Sequence, residues 1–274
     1  MELNDFIKPS LSKKIVLLSI FLCLSYTSYG KEKLVIVADY WCPYNCEPGS
    51  EKEGYLVEIA RLAIESEDVE IEYQLRPWEQ SVNDFNNGDV DGVFGASDKD
   101  DLHEPVLPSI EQASGRIAAY TLKESQWVYD GADSLQGKNI GAIEAYAYPS
   151  EIKNYLYTNY LKHPELFHFF NATNAIEQNI ASLLSGDIFT YIEDENVVND
   201  YTNTQNITSI RQAGAITIAP EKIYIAFSKT NSRSKHYAKH LTNAMLELKS
   251  NGKLNDLMKK YNIKNYTNVA LLLR

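Results

Sequence analysis

The sequence predicts an α/β protein of two units of similar order, each a mostly parallel sheet flanked by helices. Three observations carry this. Residues 34–94 read strand, helix, strand, helix, strand; the same order restarts at Asn139; and 274 residues exceed the ~100 to 200 typical of one domain.

Leu34 to Ala38 is an apolar run of strand length, followed by the loop Asp39-Tyr40-Trp41-Cys42-Pro43-Tyr44. Tyr55, Ile59, Leu62 and Ala63 recur at helical spacing. Val69, Ile71, Tyr73 and Leu75 then alternate with Glu70, Glu72 and Gln74, the period of a strand with one buried face. Pro77 opens a helix carrying Trp78, Val82 and Phe85, and Gly88 closes it, the two positions these residues favour. Val90 to Phe94 is a third, buried strand. This order requires parallel pairing with right-handed crossovers. In the second half the strands are Asn139 to Ile143, Leu166 to Phe170 and Phe189 to Ile192, with helices at Pro149 to Leu161 and around Ile176, Ile180, Leu183 and Leu184. Ile117 to Leu122 and Ile223 to Phe227 are the strands expected to cross between lobes. Tyr237, Leu241, Ala244, Met245 and Leu248 mark the last long helix, and a short one follows around Leu254 to Tyr261.

Residues 1–30 have the layout of a secretory signal peptide: Lys8, Lys13 and Lys14, the apolar run Ile15 to Leu24, then Ser28 and Gly30 before a cleavage site. That run is shorter than the ~20 residues of a membrane span, and no longer one follows. After leader removal the chain is not expected to insert in a membrane; Val269 to Leu273 is expected to dock on the body. A formal charge of −11 argues against nucleic acid, whose phosphates need a basic face. Export places Cys42 and Cys46 in an oxidising compartment, where they either form a disulfide or remain free thiols. Structural zinc needs four Cys or His ligands, and no second pair exists.

Five stretches in order resemble the bacterial extracellular solute-binding proteins of family 3, the periplasmic receptors of polar amino-acid ABC transporters. They are Trp41-Cys42-Pro43-Tyr44; Arg76-Pro77-Trp78 with Asn87 to Gly92; Gly141 to Tyr148; Gly186 to Asp194; and Ala226-Phe227-Ser228-Lys229 with the helix ending at Gly252. The resemblance implies the type II periplasmic-binding-protein fold, with residues 31–118 plus 223–274 as lobe 1 and 119–222 as lobe 2. It also implies a monomer, a small polar ligand between the lobes and an ABC transporter permease as partner. No cofactor or metal is expected.

The ligand-binding candidates are Asp39, Trp41, Tyr44, Trp78, Ala96, Ser97, Tyr146, Tyr148, Glu193 and Asp194. Each has a plainer alternative: Trp78 begins the apolar stripe of its helix, Asp194 caps the helix that follows it, and Tyr146 and Tyr148 pack on a surface. One departure bears on the ligand. The family clamps an amino acid's carboxylate with an arginine shortly after the third strand, a bidentate contact. Here Gly95 through Gly115 contains none, and Arg116 arrives only at the crossing strand. The site is therefore expected to favour a ligand with a cationic or hydrogen-bond-donating end.

The rival readings are a sensor or scavenger module and a dehydratase-like enzyme on the same fold. His103, His163, His168, His236 and His240 are scattered, and nothing resembles a Ser-His-Asp order, a glycine-rich phosphate loop or a two-His metal helix. No catalytic residue is assigned.

Overall fold

A computed structural model describes residues 31–66 and 68–264. The leader and the closing apolar stretch read from the sequence lie outside the described residues. The first half forms β1 (Glu32–Ala38), α1 (Tyr55–Ile64), β2 (Val69–Leu75), α2 (Trp78–Asn87), β3 (Gly92–Ala96) and β4 (Ala113–Gly115). The second sheet is built from β5 (Ile117–Leu122), β6 (Ile140–Ile143), α3 (Ser150–Tyr160), β7 (Phe167–Phe170), α4 (Ala175–Ser185), β8 (Thr190–Asp194), α5 (Glu195–Thr204) and β9 (Ile210–Ala215). The chain then returns through β10 (Glu221–Phe227), α6 (Ser234–Ser250) and α7 (Lys253–Lys260).

The sheet orders are β2-β1-β3-β10-β4 and β7-β6-β8-β5-β9. In each, a central strand pairs in parallel with both neighbours: β1 with β2 and β3, β6 with β7 and β8. One strand runs against the rest: β10 between β3 and β4, and β5 between β8 and β9. Four of five strands in each sheet thus share a direction, as the repeated strand-helix order predicts. The chain leaves the first sheet at Arg116, between β4 and β5, and returns between β9 and β10. These two passages are the crossings.

The alternation in β2 buries Val69, Ile71 and Tyr73 under α1, and Glu70 faces out. Gly88 closes α2 in the left-handed conformation at φ 78°, where a side chain would be strained. Leu62 and Leu184, counted in apolar stripes, instead face solvent at 64% and 41% exposure, because each sits at the margin of its helix's buried arc. Strands β4 and β9 escape the sequence pattern. The first has three residues, and the second, Ile-Arg-Gln-Ala-Gly-Ala, has no clean alternation.

The loop after β1 is closed by a disulfide between Cys42 and Cys46, with Cα atoms 4.8 Å apart. Its short closed ring implies a stabilisation of ~2 kcal/mol on the chain-entropy scale. The expected outcome is that denatured protein shows no free thiol from this pair until reductant is added, and that Cys42→Ser with Cys46→Ser lowers stability in urea unfolding by about that amount. Two free thiols without reductant would contradict the pairing.

Candidate functional site

The carboxyl ends of β1, β3, β6 and β8 meet at the seam between the two sheets, the edge where open α/β sheets bind ligands. On the first side, the Asp39–Cys46 loop is held by its own hydrogen bonds. Trp41 N donates to Asn45 O at 2.8 Å and Asn45 Nδ2 to Asp39 O at 2.7 Å. The Trp41 and Tyr44 rings lie 4.4 Å apart. From this platform Trp41 and Tyr44 both reach across the seam. Trp41 Nε1 donates to Glu193 Oε1 at 3.1 Å, and Tyr44 OH accepts from Asn196 Nδ2 at 2.8 Å.

On the second side, the turn after β6 holds Ala145 at φ 62°, a conformation costing ~1 to 2 kcal/mol for a residue with a Cβ. This turn sends Tyr146 across the seam, where its hydroxyl donates to Asp39 Oδ2. The Tyr146 ring stands edge-on to Trp41 and Trp78, at 6.5 and 6.4 Å. Tyr148 lies beside it, and its hydroxyl accepts the Ile143 N–H at 2.8 Å. Asp194, at the end of β8, accepts on Oδ1 from Asn196 N at 2.8 Å, Val197 N at 3.3 Å and Tyr44 OH at 3.3 Å. It therefore caps α5, as the plainer reading of this residue expects. Its Oδ2 lies against Gly115, where even one methyl would overlap it.

These side chains enclose a cavity of about 80 Å³. Asp39, Trp41, Trp78, Ser97, Tyr146, Tyr148 and Asp194 line it. Tyr44, Ala96 and Glu193 do not; each is fully buried behind the wall, where Glu193 orients Trp41 and Tyr44 braces Asp194. Sequence reasoning missed Asp100 and the wall from the crossings, notably Gly115, Glu221 and Lys222. The signal for Asp100 was its spacing from Ser97, since a carboxylate three residues on can accept the earlier N–H. Ser97 N does donate to Asp100 Oδ2, at 2.6 Å. Arg116 is outside the cavity wall, with its Nε 3.9 Å from Glu195.

The site is electrostatically acidic. Burial raises Asp39 to about 7, with Glu193 and Asp100 adding to the rise and the Tyr146 hydroxyl opposing it. Burial likewise lifts Asp194 to about 8, helped by Glu193 and resisted by the capping N–H groups of Asn196 and Val197. Asp100 rises to about 6, again by burial, against hydrogen bonds from Ser97 and Trp78. Glu193 is also raised by burial, although Asp194 N–H, Tyr191 and Trp41 all donate to it.

Fold and seam together define an α/β protein of two five-stranded sheets with a cavity between them. The family model of bacterial extracellular solute-binding proteins, family 3, matches residues 34–264, and the chain belongs to that family. No curated protein matches the chain by sequence. Among solved structures, one from work on glutathione import via GshT and the cystine ABC importer TcyBC of Streptococcus mutans superposes with TM-score 0.69 at 15% identity, covering 86% of this chain and 97% of its own. The amino-acid ABC transporter substrate-binding protein AbpA of Streptococcus pneumoniae, bound to L-arginine, gives 0.63 at 17%, covering 85% and 97%. A histidine kinase sensor domain similar to periplasmic binding proteins gives 0.66 at 15%, covering 84% and 96%. Among the described residues no helix is long and apolar enough to cross a membrane.

The raised carboxyls fix a sign for stability. In the unfolded chain an aspartate titrates near ~3.9, so between there and their folded values the folded protein holds more protons and loses stability as pH rises. Ligand-free protein should therefore melt at a lower temperature at pH 8 than at pH 5.5, and Asp39→Asn should flatten that slope. A melting temperature that rises across this window would contradict the burial of uncompensated carboxyls.

Proposed function

We propose that the protein is an exported, periplasmic receptor that captures one small polar molecule between its lobes and delivers it to an ABC transporter permease. The observation that carries this reading is the cavity at the seam, walled by Asp39, Trp41 and Trp78 on one side and Tyr146, Tyr148 and Asp194 on the other. A ligand there touches both sheets at once, so its binding energy favours the closed arrangement over an open one. The two passages at Arg116 and between Ala215 and Glu221 serve as hinges, the pattern of domain closure around a ligand. The lobes in this proposal are 31–118 with 223–274, and 119–222, and the working unit is a monomer. Asp194 holds the donating end of the ligand, and Trp41 and Trp78 supply faces worth ~0.5 to 2 kcal/mol against a cation. Family membership supports a binding role over a catalytic one. The likeness to a histidine kinase sensor domain supports a second reading, in which the same closure reports the ligand to a signalling partner.

Solution scattering of the mature protein against a metabolite panel tests closure. Its radius of gyration should fall on addition of the bound compound. Gly115→Ala, which sets a methyl against Asp194 Oδ2, should weaken that compound's binding at least ~10-fold while the protein stays folded. No compaction with any compound, together with normal binding by Gly115→Ala, would rule out capture by closure.

A further inference from the structure

The wall of the cavity narrows the ligand further than its polarity, on the reading that this cleft is the binding site. Of the carboxyl and amino groups that line it, Asp39, Asp100 and Asp194 come from three separate segments, and Asp39 and Asp194 are 5% and 1% exposed. The two remaining ones sit at the rim and are already paired. Glu221 binds Lys99, and Lys222, 58% exposed, lies 3.7 Å from Glu111. Among the described residues no arginine lines the cavity, and Arg116 is engaged at Glu195.

A carboxylate on the ligand would thus meet buried carboxyls from both sides that cannot ionise beside it without like-charge repulsion, and the one lining cation, Lys222, is exposed and beside Glu111. An ammonium would meet acceptors on each side. Asp194 has Oδ1 committed to the α5 cap and Oδ2 at the wall beside Gly115; Asp39 accepts the Tyr146 hydroxyl on Oδ2. Indole rings of Trp41 and Trp78 flank the same space and attract cations through their faces. The volume sets the scale. At about 80 Å³ the cleft is well below the ~300 to 1,000 Å³ of pockets for drug-sized ligands, so its ligand is compact.

We infer that the cleft is built for a compact organic amine that carries no carboxylate, held by Asp39 and Asp194 from opposite lobes between Trp41 and Trp78. Such a ligand substitutes for protons on those carboxyls, so capture tightens as pH rises from 6 to 8 and releases protons to the buffer.

Calorimetry with size-matched probes tests this. Ethanolamine and putrescine supply the amines, glycine and L-alanine add a carboxylate, and ethylene glycol removes the charge. At least one amine should bind, and at least ~100-fold more tightly than either amino acid. Asp39→Asn and Asp194→Asn keep the hydrogen-bond acceptor for Tyr146 and for the helix cap, so both should fold. Each should weaken the amine at least ~30-fold. Glycine or alanine binding as tightly as the amines, or amine binding indifferent to both substitutions, overturns the inference. Binding and compaction by larger amino acids alone overturns it as well, and leaves the receptor reading standing. If no metabolite of any class binds or changes the scattering, both fail.

Discussion

Carboxyl groups buried without a cation are the constraint on which the seam of this molecule depends. Moving a charged carboxylate out of water is unfavourable unless donors or an opposite charge replace the lost hydration. Glu193 solves this inside the protein, with the Asp194 N–H, the Tyr191 hydroxyl and the Trp41 indole all donating to it. One of those donors comes from the other lobe. The packing of the two sides of the seam therefore satisfies a buried carboxyl on one side with a donor from the other. Asp39 is the mirror case, a carboxyl of the first lobe met by Tyr146 of the second. Burial, with the Glu193 carboxyl close by, pushes Asp39 and Asp194 up in spite of the donors that each has.

This arrangement needs a rigid edge to work against, and the loop after β1 supplies it. The disulfide and the Trp41–Asn45 backbone bond close a ring of a few residues, and Tyr73 OH ties Cys46 O back to β2 at 2.8 Å. Gly54 completes the platform by passing so close to Tyr44 O that a Cβ there would collide. Held in this way, Trp41 and Tyr44 keep their ring contact and their polar tips at fixed points of the seam. The second-lobe turn at Ala145 is the opposite kind of element, a strained residue that aims Tyr146 inward.

Much of the fold was legible because burial imposes periodicity. The alternation of β2 and the helical stripes of α2, α4 and α6 follow from which faces must be dry. Trp41, Trp78, Tyr146, Tyr148, Asp39 and Asp194 were legible as wall residues from their places at strand ends. The rest depended on tertiary geometry. Nothing in Asp98-Lys99-Asp100-Asp101 says which carboxylate turns inward until the Ser97 turn is closed. Glu221 and Lys222 reach the wall only because β10 pairs with β4 at the crossing, bringing Glu221 opposite Gly115. Tyr44 and Glu193 stand one layer deeper than expected, since their polar atoms serve their neighbours before the cavity.

Asp194 shows how one carboxyl can cap a helix and also line the cavity. A carboxylate has two oxygens with several acceptor sites between them. The first turn of α5 takes Oδ1, and this fixes the rotamer so that Oδ2 is delivered to the wall beside Gly115. The N–H groups that bind Oδ1 also bring the positive end of the helix to the carboxylate, which partly offsets its burial. A group oriented by one oxygen and presented by the other is preorganised at no further entropic cost on binding. Removing the side chain altogether must then weaken the helix start and the seam together. Exchanging the carboxyl for an amide separates the two effects, because the cap needs only an acceptor, which an amide keeps, while the ionisable group at the wall is lost.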